Sequence, residues 1–448
     1  MRSTLLLLTT ATMIGGYAYF IESSRPSRSE TENAKDRVFV SESSALVELE
    51  VLASGTRTVL RKIDSTWTIV APVQVNADEV EVSGITTGVA SLEIERVLED
   101  AADDLEPFGL ADPRIEIAFK AEGDDEVTRL YLGNHTATGG DIYAMRSDDP
   151  RVFLVAAYLE SSFDRTTFDL RDKAILNFER DDVDRLQLTT PTHTVALARA
   201  DGAWRVEVPW EARGASGTVD TIVTRLDTAR MQALIETDDS DIDTHGLAKP
   251  RISAIVSAGS ASATLLVGME ADDGSSYARD ASRSLIFTVE ASLVDALARP
   301  PEDYRQKELF TFSPTSVTRL EIERPAVWLV LSKDEKNPSV WRQLEPSPAE
   351  VDQSAVSDLL ATLTGFRADR FVASTENTGL DEPIATVTVF SGERQERVVF
   401  GRDGDVVYAL TEADAGAAAI KATGFENALA IAATLGILDE NMPVPQPG

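Results

Sequence analysis

The sequence predicts an α+β fold: three tandem repeats of an antiparallel sheet with helices packed on one face, preceded by one N-terminal transmembrane helix. Three observations lead there. Trp67, Trp204 and Trp341 are spaced by 137 residues, and each stands five residues before a proline, Pro72, Pro209 and Pro346. Between these markers, short stretches with the two-residue periodicity of half-buried strands alternate with turn residues and a few helical stretches. Ahead of them, residues 3–21 carry no charge.

The N-terminal segment is read first. Thr4 to Ile21 would extend about 27 Å as a helix, at the short end of what spans a bilayer. Tyr17, Tyr19 and Phe20 suit an interfacial aromatic belt better than a cleavage site. Residues 1–24 are therefore expected to be an uncleaved anchor and residues 25–37 a polar stalk. Arg25, Arg28, Lys35 and Arg37 follow the span, and counted naively they favour a cytoplasmic soluble part. Long hydrophilic domains translocate largely regardless of flanking charge. The expectation is a single-pass protein of a bacterial inner membrane with its soluble part in the periplasm.

The repeat keeps its register well beyond the tryptophans. Leu46, Leu49 and Val51 recur 137 positions on as Val183, Leu186 and Leu188, and Leu320 and Ile322 hold the same places in the third copy. The third copy has three extra residues in the Asp334 to Ser339 turn. Gly109-Leu-Ala-Asp-Pro113, Gly246-Leu-Ala-Lys-Pro250 and Gly379-Leu-Asp-Glu-Pro383 follow their tryptophans by 42, 42 and 38 residues. Next come strands ending on Gly133, Gly268 and Gly401, then Tyr143-Ala, Tyr277-Ala and Tyr408-Ala. Asp169-Leu-Arg-Asp-Lys173 and Asp303-Tyr-Arg-Gln-Lys307 close the first two copies, and the third lacks this ending. So long a period marks a duplicated domain and not a solenoid turn. The modules are read as 38–175, 176–310 and 311–440, with 441–448 a disordered tail.

Within the first module, Leu46–Leu52 and Thr58–Ile63 alternate as paired strands around a Ser54-Gly55 turn, and Trp67–Val70 is a third strand ended by Pro72. Ala77–Leu92 is read as a helix with Asn76 as N-cap and Asp78 and Glu79 in its first turn. Ile94–Leu98 returns as a strand. Leu105–Phe108 is a helical turn with Gly109 as its left-handed cap and Pro113 preventing continuation. Arg114–Lys120, Thr128–Leu132, Ile142–Arg146 and Arg151–Val155 form a meander, and Ala156–Phe163 a short second helix. On this reading the tryptophans anchor the core, the glycines turn and cap, and the Asp-x-Arg ending pairs charges at a module junction. The short joins around Leu176 and Phe310 predict close packing of the modules. The alanine-rich Ala415–Ala422 stretch stands where the earlier copies have Val152–Val155 and Leu285–Val289, so the last strand of the third copy is expected to be degraded.

Composition narrows function. The net charge is −33, from 75 acidic against 42 basic residues, which repels phosphate backbones and excludes nucleic acid as a partner. Lysine occurs nine times only. With no cysteine there are no disulfides, thiolate metal sites or cysteine nucleophile.

The anchor, the Trp-to-Pro spacing, the Gly-Leu-x-x-Pro element, the L-x-L-G strand and the Leu-Arg-Asp-Lys ending together resemble a bacterial family catalogued as domain of unknown function 4340. The resemblance is strongest over Leu46–Leu176, good over Phe178–Phe312 and weaker over Phe312–Leu438. It implies an envelope protein held by one N-terminal helix, of a family many of whose members are encoded beside ABC-transporter permeases and gliding-motility-type auxiliary subunits. The family brings no catalytic residues to carry over.

No catalytic, cofactor-binding or metal-ligating residue is expected. His135, His193 and His245 occupy different repeat positions without ligand spacing. Asp241-Ile-Asp243 resembles the start of a calcium loop, but Ile252 stands where the bidentate Glu is needed, and Gly246 has a capping role. Gly214-Ala-Ser216-Gly217 lacks the setting of a nucleophile elbow, and no phosphate-binding glycine loop is present. The expected function is that of a non-catalytic accessory or scaffold subunit of a transporter-like membrane complex. The alternative is an extracytoplasmic binding module taking an envelope glycan or peptide on its open sheet faces.

Overall fold

The computed structural model describes residues 37–235, 242–325 and 327–437. The expected anchor, nearly all of the expected stalk and the tail lie outside the described residues, as does Asp241. Among the described residues no helix is long and apolar enough to cross a membrane. Arg37, the last residue of the expected stalk, pairs with Glu93 and so opens the first module.

The chain divides into two compact units, Met1–Lys173 and Ala174–Gly448. The first holds one sheet. Its strands are β1 (Leu46–Ala53), β2 (Thr56–Ile63), β3 (Thr66–Ala71), β4 (Val75–Asn76) and β5 (Arg96–Glu99), then β6 (Ile115–Ala121), β7 (Thr128–His135), β8 (Asp141–Arg146) and β9 (Asp149–Ala156). They lie in the order β4-β3-β2-β1-β6-β7-β8-β9-β5, antiparallel throughout, so β1 and β6 join two meanders. Ser54 and Gly55 turn β1 into β2 with positive φ at both positions, as a two-residue hairpin requires. Helix α1 (Glu79–Ser91) buries Val82, Ile85 and Val89 against Leu49, Val51, Leu60, Ile69 and Ile117 on one sheet face. The short helices α2 (Glu160–Phe163) and α3 (Thr167–Leu170) complete this layer.

Helix α1 starts two residues later than expected, and its N-cap is Asp78, not Asn76. The Asp78 carboxylate accepts from the Val80 and Glu81 amides at 3.0 and 3.3 Å. Asn76 and Ala77 stay extended because their backbones are already engaged. Asn76 pairs with Thr68 in the sheet, and Ala77 bridges Arg171 of the closing segment. One residue read as the cap and one read as helix are both held extended by partners outside the segment.

The second unit holds two more nine-stranded sheets of identical order. One comprises β10 (Arg185–Thr189), β11 (Thr194–Ala200), β12 (Ala203–Val208), β13 (Ala212–Arg213) and β14 (Leu234–Ile235), then β15 (Ile252–Ala258), β16 (Ala261–Glu270), β17 (Ser276–Asp280) and β18 (Ile286–Val289). Its helices are α4 (Ser216–Thr228) and α5 (Ala291–Leu297). The other comprises β19 (Arg319–Arg324), β20 (Val327–Lys333), β21 (Trp341–Glu345), β22 (Ala349–Glu350) and β23 (Arg370–Val372), then β24 (Ala385–Ser391), β25 (Arg394–Asp403), β26 (Val406–Thr411) and β27 (Ala417–Ile420). Its helices are α6 (Gln353–Thr364) and α7 (Ala422–Ala432).

The alanine-rich strand expected to be degraded is formed. Ala417–Ile420 is buried along its whole length and pairs with both β23 and β26. Ala418 and Ile420 join the main core, whereas Ala417 and Ala419 lie under Tyr408 and Leu380 on the opposite face. Small side chains suit a strand enclosed on both sides. Volume is restored by α7, which runs 11 residues against 7 in α5 and brings Phe425 to 5.0 Å from Phe400.

Candidate functional site

The repeated motifs converge on two corners of each module. The first is built on the tryptophan. Trp67, Trp204 and Trp341 are 5, 2 and 6% exposed. Over each ring lies a cation from the preceding strand: Lys62 at 6.0 Å, Arg199 at 4.9 Å and Lys333 at 5.7 Å. The Trp67 and Trp341 amides donate to Glu79 and Gln353 at 2.8 and 2.7 Å, and the Trp204 indole donates to Asp220 at 2.8 Å. The peptide before Pro72, Pro209 and Pro346 is cis in all three copies. The repeated cation is present in the sequence at the tryptophan register, a signal from which it could have been found.

The second corner explains the Gly-Leu-x-x-Pro element, the strand-ending glycine and the Tyr-Ala pair as one assembly. A Cβ on Gly133 would run into the Phe108 carbonyl oxygen, one on Gly268 into that of His245, and one on Gly401 into the backbone of Thr378 to Leu380. Backbone thus packs directly on backbone. Gly109, Gly246 and Gly379 turn the loop with φ of 67, 72 and 68°. The loop then rests on the tyrosine: Phe108 lies 5.2 Å from Tyr143, His245 lies 4.2 Å from Tyr277, and Leu380 packs with Tyr408. These positions are used up in packing.

The aspartates of the Asp-x-Arg endings act locally. Asp169 closes a capping box with Thr166, and Asp303 meets Lys307 at 3.6 Å. The arginines instead pair by backbone with the stretch ahead of the module's long helix, Arg171 with Ala77 and Arg305 with Gly214. Gly214 is pressed against Trp204, and the segment passes from β13 into α4, a strand-to-helix setting that the local sequence does not reveal. The register explains why Gly214 is glycine without a nucleophile.

Within the second unit this geometry becomes a joint between modules. The segment after Arg305 pairs Glu308 with Arg367, and the Leu309 amide donates to the Phe366 carbonyl at 2.9 Å. The Arg305 guanidinium is buried over Phe371 at 3.8 Å and Trp210 at 5.4 Å, and it donates to the Ala415 carbonyl at 3.1 Å. Burial lowers its pKa from the ordinary value, a pull that the nearby Asp414 charge opposes. Arg213 binds the Asp414 carboxylate through Nε and Nη2 at 3.1 and 2.9 Å, and through its own amide at 2.7 Å. Thr411 adds a hydroxyl at 2.6 Å. Burial works to raise the Asp414 pKa, but the Arg213 charge and these hydrogen bonds outweigh it and hold the carboxyl below its ordinary value.

Arg213 also donates to the Leu309 carbonyl at 3.2 Å, which exposes a rule of the repeat. The matching carbonyl of the first module, Val38, receives Arg146 at 2.5 Å, and that of the second, Ile175, receives Arg283 at 2.6 Å. Each arginine is held by an aspartate: Asp148, Asp280 and Asp414 in turn. Arg146 and Arg283 come from the same hairpin of their modules, 137 residues apart, whereas Arg213 reaches its equivalent carbonyl from the edge strand of the preceding module. Sequence comparison of the copies misses the third, because Arg213 comes from a different element than Arg146 and Arg283.

The histidines have local partners. His135 meets Glu160 at 2.7 Å, and His193 lies 3.1 Å from the Arg299 carbonyl. Among the described residues no group of three His, Asp or Glu is placed to hold a metal ion. Two grooves occupy the same repeat position, between the end of the long helix and the start of the last one. One, of about 270 Å³, carries Arg225, Arg230 and Glu290. The other, of about 380 Å³, carries Lys307, Arg367, Lys421 and Asp369. In the second, Arg367 is offset by Glu308 at 3.2 Å and Lys307 by Asp303; in the first, Arg225 and Arg230 donate to backbone carbonyls.

The profile of the family described as Domain of unknown function (DUF4340) matches residues 67–250 and again residues 204–383. The chain belongs to that family. Each match starts on a repeated tryptophan and ends on the proline of the next module's Gly-Leu-x-x-Pro element, so the family's sequence unit runs through the segment that joins two modules. No curated protein matches the chain. Among solved structures, the DnaN sliding clamp (DNA polymerase III subunit beta) from Pseudomonas aeruginosa bound to griselimycin is 9% identical, with a TM-score of 0.16 over 84% of this chain and 93% of the clamp. A second structure of the DNA polymerase sliding clamp from Pseudomonas aeruginosa, with ligand, is 8% identical, with a TM-score of 0.15 over 86 and 95% of the two chains. Superpositions this poor bear on neither the fold nor the function of this DUF4340 member.

Proposed function

We propose that the chain is a non-catalytic scaffold of the bacterial cell envelope, tethered to the inner membrane by its N-terminal apolar segment and serving an ABC-transporter-type complex as an accessory subunit. The Arg213–Asp414 joint carries the scaffold reading. A buried, multiply bonded ion pair joins two modules through their least repeated residues, as expected where fixed module geometry matters. The residues that the repeat does conserve go to packing and turns. The membrane and transporter parts of the proposal rest on the uncharged N-terminal run and on the sequence resemblance.

The test is purification of the full-length chain from detergent-solubilised native membranes, with quantitative mass spectrometry against an unrelated anchored protein. Enrichment of a permease or an associated ATPase supports the proposal. Recovery of the chain with neither would overturn the transporter assignment. A phosphatase reporter fused after Gly448 should be active outside the cytoplasm, and activity restricted to a cytoplasmic reporter would overturn the orientation.

The alternative reading places a glycan or peptide on the open sheet faces. On the first sheet that face is a ladder of paired charges: Arg57 with Glu50 at 3.1 Å, Arg61 with Glu48 at 3.7 Å, and Arg129 with Glu116. A ligand there would have to displace bonds already made, which favours the scaffold.

A further inference from the structure

The second and third modules differ sharply beneath the hairpin tip that follows their Gly-Leu-x-x-Pro element. In the third, β24 and β25 turn at Ser391–Arg394, and the space under the tip is filled from within. Glu396 accepts from the Thr311 amide at 2.6 Å and its hydroxyl at 2.8 Å, and Arg394 donates to the same hydroxyl at 3.2 Å. In the second module the register is the same. Ala258 faces Ala261 as Ser391 faces Arg394, and Val256 faces Ala263 as Val389 faces Glu396. Both filling residues are therefore alanines there. Asn177 stands in the place of Thr311, and among the described residues no hydrogen bond holds its side chain.

What remains is a groove of about 370 Å³. Phe178, Ala261 and Ala263 line it beside Ser257 and Ser262, over the buried Val183 and Val256, and the exposed Glu179 and Asp182 belong to its wall. It is built and not slack. Val183 and Val256 are buried, and Asp184 fixes the tip by accepting the Gly259 amide at 3.0 Å. No basic residue lines it. Arg180 is turned to Asp181 at 3.0 Å, and among the described residues neither Glu179 nor Asp182 forms an ion pair.

We propose that this groove is a docking site for an extended segment of a partner protein, which inserts one bulky apolar side chain flanked by arginine or lysine. The short alanine side chains leave unfilled volume, and Phe178 gives the inserted group an apolar wall to pack on. The unpaired Glu179 and Asp182 carboxylates select the flanking charge, and the chain's surplus of acid steers such a segment inward. The site goes beyond the scaffold reading and does not depend on any transporter partner.

The test uses the full chain in detergent and three fluorescein-labelled peptides, Gly-Arg-Phe-Arg-Gly, Gly-Arg-Ser-Arg-Gly and Gly-Glu-Phe-Glu-Gly, followed by anisotropy. The first should bind saturably and the other two at least roughly ten-fold more weakly, more than one full factor of ten in the equilibrium constant. The triple variant Asn177→Thr/Ala261→Arg/Ala263→Glu installs the third module's own filling and should lose binding by at least the same factor. Glu179→Lys/Asp182→Lys, which changes only exposed side chains, should do likewise and does not depend on repacking. Equal binding of the phenylalanine and serine peptides, undiminished binding by either variant, or no saturable binding of the first peptide would overturn the proposal. The co-purification experiment can fail or succeed without altering any of these outcomes.

Discussion

Arg213 and Asp414, 201 residues apart, share two side-chain hydrogen bonds and a third from the arginine's own amide, all on one carboxylate whose side chain is 9% exposed. The pair sits where the second module's edge strand meets the turn before β27. Removing one partner leaves the other charge stranded in a desolvated place. Asp414→Ala and Arg213→Met should each destabilise the second unit by about 3–5 kcal/mol, read by chemical denaturation of the full chain. A loss under 1 kcal/mol from both would show that the joint is not held by this pair.

Arg305 should behave differently, although it lies in the same joint. Its charge is buried against two aromatic rings and its Nε has no hydrogen-bond partner, so burial works against the ion. Arg305→Met keeps the packing and removes that cost. Its effect on stability should stay within about 1 kcal/mol, while Arg305→Ala, which also empties the space, should cost more. Equal losses for the two variants would contradict this assignment.

The joint should be sensitive to acid. The folded pKa of Asp414 lies below its ordinary value, so the unfolded chain takes up the proton first as pH falls. The stabilisation is therefore complete above the ordinary carboxylate pKa of about 3.9 and is lost below it, through the folded value. Hydrogen exchange at the Arg213 and Ala415 amides, followed between pH 6 and pH 3 (roughly two units above and one below that pKa), should accelerate relative to the β10–β15 core. Asp414→Asn should remove most of that pH dependence.

The strand-ending glycines give a graded test of the second corner. Gly133→Ala, Gly268→Ala and Gly401→Ala each force a methyl into backbone and should cost at least about 1–3 kcal/mol. Gly84, exposed on α1 with open space where a methyl would stand, should instead gain about 0.5–1 kcal/mol on becoming alanine. Thermal denaturation ranks all four, and a neutral Gly268→Ala would show that the loop does not rest on that strand.

Much of the architecture is legible in the sequence because it rests on local pattern. The alternation of Leu46 to Ile63 and the left-handed glycines carry their information within a few residues, and the 137-residue spacing shows the same local pattern recurring. Asn76 and Ala77 cannot be read this way, since their extended state depends on Thr68 and Arg171. The alanine strand misleads for a related reason: its burial comes from Tyr408, Leu380 and a helix that follows it. The Arg213–Asp414 pair leaves no trace, because it occurs once and the repeat makes only recurring residues conspicuous. The cations over the tryptophans do recur, but a lysine in one copy and an arginine in the next hide the match.

The Arg305–Leu309 ribbon belongs to two modules at once, bridging Gly214 of the second at one end and Arg367 of the third at the other. Its ownership is therefore undecided between them, and this bears on how such an array can be inherited. A recombination event that cuts within the ribbon out of phase would deprive one neighbour of its closing segment or the other of its opening one. One that cuts at matching points inside two sheets, a whole period apart, hands every surviving sheet an intact ribbon. An exchange in phase, with breakpoints a whole period apart, therefore changes copy number without breaking a ribbon.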